Sequence, residues 1–152
     1  MHVVFVCWGN ICRSPMAERV APVWAAREGV AATFSSAGVS SEESGNRMDT
    51  RARRVLDAHG YDSSNHRAHR ITRDEIEDAD LVIGLEDIHV NRMRQIAREA
   101  DHFALLTDFD PAAEPGSGIE DPWYGPASGF EGTLASIEAA MPGLMDRLRE
   151  DG

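Results

Sequence analysis

The apolar run Val3-Val4-Phe5-Val6 stops at Cys7, and the chain continues Trp8-Gly9-Asn10-Ile11-Cys12-Arg13-Ser14-Pro15. A short run that is apolar at every position predicts a strand buried on both faces, as in parallel sheets covered by helices. Such a strand delivers Cys7 to its carboxyl end. Gly9 gives the following loop the backbone freedom for a sharp turn, and Asn10 tolerates left-handed geometry, so successive N–H groups can converge as a nest. Ser14 as N-cap and Pro15 at the first helical position predict a helix start. The free N–H groups and dipole of that helix favour an anion. Arg13 adds a planar fork that matches two oxyanion oxygens. In this setting Cys7 is expected to act as a thiolate nucleophile beneath a bound oxyanion, with Trp8, Gly9, Asn10, Ile11, Cys12, Arg13 and Ser14 forming the cradle.

The rest of the chain alternates short apolar runs with amphipathic stretches, which predicts an α/β fold: a four-stranded parallel sheet with helices on both faces. Strands are expected at about residues 2–7, 33–37, 81–85 and 102–106. Helices are expected at about 14–28, 49–58, 72–78, 87–99 and 129–149. Pro22 should kink or interrupt the first helix, and Pro142-Gly143 should bend or break the last. Asp49 is a good N-cap, and Thr72-Arg73-Asp74-Glu75 fits a capping box. From Thr107 to Gly129 the composition turns to Pro, Gly, Asp and Ser, and long loops of this kind tend to carry function. In such sheets ligands bind beyond the carboxyl ends of the strands, where Cys7, Gly38 and the loop after Leu106 emerge.

A chain of 152 residues is one ordinary domain, able to bury roughly 70% of its unfolded surface. No apolar run approaches the ~18 residues of a membrane span, and the N-terminus has no signal-peptide pattern. A cytoplasmic location, no membrane association and a monomer are the expectations. The formal net charge of -11 argues against nucleic acid, which demands basic stripes. All 15 basic residues are arginine. Walker A, kinase and Schiff-base chemistries each need a lysine and are excluded.

Cys7 and Cys12 are the only cysteines. A disulfide closing so short a loop gains little chain entropy, and two thiols without a nearby histidine make a poor zinc site. No metal or organic cofactor is expected. Cys12 is instead a candidate redox partner, able to trap an oxidised Cys7 as a reversible disulfide.

The segment Cys7 to Pro15 has the form C-x5-R-S, and near the C-terminus stands Asp121-Pro122-Trp123-Tyr124-Gly125. With both motifs in this order, the chain resembles the low-molecular-weight protein tyrosine phosphatases over nearly its whole length. The resemblance implies hydrolysis of phosphotyrosine monoesters through phosphocysteine. Phosphotyrosine proteins or peptides, and inorganic phosphate or other oxyanions, would be the ligands. It also implies roles: Cys7 nucleophile, Arg13 phosphate clamp, Asp121 general acid and base, Ser14 hydrogen-bonded to the Cys7 sulfur, and Asn10 shaping the loop with support from His66. Asp110-Pro111 shows the same dipeptide, but the resemblance assigns the acid to the Asp followed by the aromatic pair. Trp8, Trp123 and Tyr124 would wall a pocket deep enough for an aromatic ester. His69, where the family often has Arg, is assigned no role.

Two positions depart from the family pattern. The loop after Gly38 reads Val39-Ser40-Ser41-Glu42-Glu43-Ser44 where an aromatic is usual, so a pocket wall is missing and two carboxylates stand at its mouth. Glu86 takes the place of the usual Asp behind the loop. An arginine phosphatase on the same fold is an alternative, although Ile11 stands where those members have Thr. An arsenate reductase would need further cysteines or external thiols. A non-catalytic phosphotyrosine-binding module would keep Arg13 and lose Cys7 or the acid, and this chain has both.

Overall fold

The computed structural model describes residues 1–152. Four strands, β1 (His2–Cys7), β2 (Thr33–Gly38), β3 (Leu81–Gly84) and β4 (Phe103–Leu105), form one sheet in the order β2-β1-β3-β4, every pairing parallel. This is the expected α/β architecture. Five helices surround it: α1 (Arg13–Glu28), α2 (Thr50–Ala58), α3 (Arg73–Asp78), α4 (Asp87–Ile96) and α5 (Gly129–Asp151).

Side chains alternate across a strand, and β1 sorts its residues accordingly. Val3, Phe5 and Cys7 join a core of 27 buried residues with α1, α2 and α5. Val4 and Val6 join a core of 12 on the opposite face, with Ile76 of α3 and Val90 and Met93 of α4. Both faces of β1 are therefore covered, which is why the run carries no polar residue.

β1 pairs with β2 in the register Cys7↔Gly38, so both strands end side by side under the loop that follows Cys7. A Cβ on Gly38 would lie 2.7 Å from the carbonyl oxygen of Trp8. Glycine is required there by close backbone approach.

Several expected boundaries shift. α1 begins at Arg13 with Cys12 as N-cap and no side-chain cap, so Ser14 is not the N-cap and Pro15 is not the first helical residue. The Ser14 hydroxyl is engaged with Cys7 instead. α4 stops at Ile96 rather than residue 99, because the chain bends through Ala97 before β4. α1 runs through Pro22 without interruption, and α5 runs unbroken through Pro142-Gly143. Two short 3-10 turns, at Leu106–Phe109 and Pro122–Tyr124, punctuate the long loop. The Asp49 cap and the Thr72–Glu75 capping box form as expected.

Candidate active site

The loop between β1 and α1 is turned so that its carbonyls are engaged by neighbouring segments. Val39 N–H donates to Cys7 O, Ser40 N–H to Trp8 O, Asp49 N–H to Ile11 O, and Met16 N–H to Cys12 O. His66 Nε2–H donates to Asn10 O at 2.6 Å. The N–H groups of residues 8–14, by contrast, donate to no protein acceptor. A loop with most of its acceptors satisfied outward and its donors unpaired is an oxyanion nest, continued by the free N–H groups of the α1 terminus. The left-handed residue of the turn is Asn10, at φ 61°. Gly9 does not take positive φ; a Cβ there would press on the Glu43 side chain at 3.1 Å.

Asn10 and Ser14 brace this loop from behind. Asn10 Nδ2 donates to Ser14 Oγ at 2.9 Å and to Ser36 Oγ at 3.0 Å, while its Oδ1 accepts the His69 N–H at 3.2 Å. Ser14 Oγ therefore accepts from Asn10 and keeps its own proton for Cys7 Sγ, 2.9 Å away. Ala37 O, at 3.3 Å, is its weaker alternative. His66 is buried and held below the usual imidazole range chiefly by that burial. Its Nε2–H bond to the Asn10 carbonyl fixes the orientation of the ring. The backbone of His69, to which sequence assigned no role, contributes one contact.

Arg13 is 2% exposed and held on several sides. Its Nη1 pairs with Glu86 Oε1 and donates to the Ile119 carbonyl at 2.8 Å; its Nη2 lies 3.7 Å from Asp121 Oδ2. Glu86, the departure behind the loop, thus still reaches Arg13. Behind it His89 accepts the Glu86 N–H on Nδ1 at 3.0 Å. Burial, and secondarily the Arg13 charge, pushes His89 down to about 3, so this ring stays neutral.

Cys7, Trp8, Ile11 and Arg13 line one pocket of about 130 Å3 together with Asp121, Trp123 and Tyr124. Glu42 and Glu43 also line it, at the mouth, as the sequence predicted. Cys12 lines it too, but burial and the nearby Asp49 carboxylate push its thiol well above the ordinary range. Asp121 caps the 3-10 turn, its Oδ1 accepting Trp123 N–H at 3.0 Å, which leaves Oδ2 toward Arg13. Asp110 lies outside this pocket and accepts Ala112 N–H in a turn of its own. Trp123 is 41% and Tyr124 91% exposed, so they form an open rim rather than a closed wall.

Arg51 and Arg92 were not legible as site residues. Arg51 chelates Asp49 through Nε and Nη2, donates to Trp123 O at 3.2 Å, and lies between the rings of Trp123 and Phe130 at 5.0 and 4.7 Å. Arg92 stacks over Trp8 at 5.0 Å. Each acts across a long stretch of chain, and no local motif marks it.

A parallel sheet that delivers a cysteine into a nest of free N–H groups, with an arginine alongside, defines a class: α/β domains that hold a tetrahedral oxyanion against a thiol. Within that class the chain belongs to the low molecular weight phosphotyrosine protein phosphatase family, whose model matches residues 2–152. The "Low molecular weight protein-tyrosine phosphatase A" of Mycobacterium tuberculosis is 41% identical over 153 residues, covering 99% of this chain and 93% of the relative. The Streptomyces coelicolor low molecular weight protein-tyrosine-phosphatase is 40% identical, covering 98% and 94%. Among solved structures, a protein tyrosine phosphatase from Entamoeba histolytica superposes with a TM-score of 0.93 at 26% identity, covering 99% of this chain and 98% of that one. The YwlE arginine phosphatase superposes at 0.88 with 29% identity, covering 99% and 97%.

Proposed function

We propose that this chain is a protein tyrosine phosphatase that hydrolyses phosphotyrosine monoesters in two displacements at phosphorus. The observation that carries the reading is the loop itself: Cys7 sulfur at the floor of a run of unpaired N–H groups, with the carbonyls of Cys7, Trp8, Asn10, Ile11 and Cys12 tied elsewhere. Those donors and Arg13 match the equatorial oxygens of a transferring phosphoryl group and need no reorganisation during reaction. The Cys7 thiolate attacks phosphorus in line, the P–O ester bond breaks, and the Asp121 carboxyl gives its proton to the leaving phenolic oxygen. In the second step the Asp121 carboxylate takes a proton from water as its oxygen attacks phosphocysteine. The P–S bond breaks, and Ser14 donates to the departing sulfur.

The cytoplasm is the proposed location; no helix is long and apolar enough to cross a membrane. Reversible oxidation of Cys7 with Cys12 as partner belongs to the same reading, but the strongly protonated Cys12 thiol argues for slow closure, because the thiolate is the attacking form.

The test is hydrolysis of a phosphotyrosine peptide, whose phenol is a poor leaving group without an acid, in EDTA and reductant by wild type, Cys7→Ser, Asp121→Asn and Asp110→Asn. We expect turnover lost in the first variant, reduced roughly 10²-fold or more in the second, and retained in the third. No turnover by folded wild type would overturn the reading. One observation favours phosphoarginine as a second substrate: Glu42 and Glu43 at the mouth would attract its guanidinium. Comparing kcat/KM on phosphotyrosine and phosphoarginine peptides decides between them.

A further inference from the structure

Fifteen arginines serve this acidic chain, and most have a visible partner. Arg13, Arg19, Arg51, Arg73, Arg147 and Arg149 pair with carboxylates; Arg27, Arg92 and Arg94 lie over aromatic rings. Arg47, Arg53 and Arg67 do neither, yet they converge on one hollow of about 380 Å3 that no acidic residue lines. In a chain of net charge -11, three uncompensated guanidinium groups around a concave surface is an arrangement that self-repels unless an anion joins it.

The floor of the hollow is equally rich in donors. Asn65 sits at φ 59°, and the N–H groups of Ser63, Asn65, His66 and Arg67 donate to no protein acceptor. The nearest carboxylates on this stretch are occupied: Asp57 accepts from Ser63 Oγ and Asp62 from Ser64 Oγ. His66 is 7% exposed and lines the hollow; with Nε2–H spent on Asn10 O, its unpartnered Nδ1 is an acceptor, which meets the O–H of a hydrogen phosphate. Met48 lines it too, and the next residue, Asp49, holds Ile11 O. Two of the segments that fasten the outer side of the Cys7 loop, those holding Asn10 O and Ile11 O, are therefore walls of this second hollow.

We propose that the hollow formed by Arg47, Arg53 and Arg67 around His66 is a second oxyanion site, taking a phosphate or phosphomonoester group behind the loop whose inner side holds the first. Arginine forks and backbone donors give tetrahedral oxyanions several parallel hydrogen bonds, which chloride or a single carboxylate cannot match. The ligand is either free inorganic phosphate or a second phosphoryl group on a bound phosphopeptide, and the same contacts serve both.

Binding is measured without turnover, so the result stands apart from the phosphatase reading. Amide shifts of residues 63–67 are followed by NMR during titration with inorganic phosphate, after the Cys7 site has been filled with stoichiometric vanadate and against sodium chloride of equal ionic strength. We expect a saturable shift at 63–67 that chloride does not reproduce and that Arg53→Gln/Arg67→Gln abolishes, with the fold of that variant checked by its unchanged remaining spectrum. Shifts that vanadate eliminates, that chloride reproduces, or that persist in the double variant would overturn the site. KM is then compared for a phosphotyrosine peptide with and without an added phosphoserine. A several-fold lower KM for the doubly phosphorylated peptide, lost in the double variant, assigns the site to substrate; equal KM with phosphate binding intact assigns it to free phosphate.

Discussion

Arg51 reaches the catalytic loop only through others: it is chelated by Asp49, donates to the Trp123 carbonyl, and lies between two aromatic rings. Because Asp121 caps the turn that begins at Pro122, fixing Trp123 fixes the direction of the Asp121 carboxyl. Arg51→Ala should lower kcat/KM on phosphotyrosine by about 10- to 100-fold, since small misplacements of a reacting group carry costs of that order and kcat/KM reports the step in which the phenol leaves. The loss should shrink for esters with an acidic leaving phenol, which need no proton from Asp121, and Arg51→Lys should rescue little because an ammonium cannot chelate a carboxylate in a fork. An equal loss for both leaving groups would contradict the positioning role. His89 makes a second prediction. It is held neutral in the fold, at about 3 against 6.5 for the free ring. The unfolded chain therefore binds the extra proton first, so the stabilisation is whole above pH ~6.5 and is lost progressively as pH falls toward ~3. Denaturant unfolding should show about 2 kcal/mol lost between pH 7 and pH 5 through this ring. The depressed His66 loses stability in the same direction. In His89→Gln the part due to His89 should disappear; an identical pH slope in the variant would refute it.

Among the elements, α5 shows how one of two supposed helix breakers, Gly143, serves the site. Pro142 lacks one N–H, yet the helix continues to Asp151. Gly143 faces the carbonyl of Phe109, which would lie 2.2 Å from a Cβ at that position. Gly143 therefore lets the 3-10 turn at Leu106–Phe109 dock on α5, and that turn launches the loop that presents Asp121. Gly143→Ala should destabilise the fold by about 1–3 kcal/mol through overpacking, measured by thermal or denaturant unfolding; a neutral result would show that the turn can move freely. The residues that sequence revealed are those packed into contiguous motifs: Cys7 to Ser14, and Asp121 to Tyr124. The sheet was legible because the apolar period of each strand is local. The α1 start was misjudged because Ser14 satisfies a general capping preference while its hydroxyl is engaged by Cys7 and Asn10. Ser36, Arg51, His89 and Arg92 went unread because their partners lie far along the chain, and only the assembled fold brings them together.

For the whole molecule, the excess of negative charge and its distribution predict a preference among phosphopeptides. Glu42 and Glu43 stand at the pocket mouth, with Arg92 over Trp8 as the nearby counterweight. A phosphotyrosine peptide with basic flanks should show higher kcat/KM than one with acidic flanks. That preference should weaken as salt shortens the Debye length from about 10 Å at 0.1 M toward 3 Å at 1 M. Glu42→Gln/Glu43→Gln should narrow the gap, and equal specificity for both peptides in wild type at low salt would contradict the charge argument. The kinetic effects presuppose chemistry on one sulfur atom. The most direct measurement is rapid acid quench during turnover of a phosphotyrosine substrate, followed by mass spectrometry of the peptide that contains Cys7. The account predicts one phosphoryl group on the Cys7 sulfur, present within the burst and absent from Cys7→Ser. A wild type that turns over fully, with rapid quench of its burst yielding no phosphorylated Cys7 and the phosphoryl group instead on another residue, would contradict it.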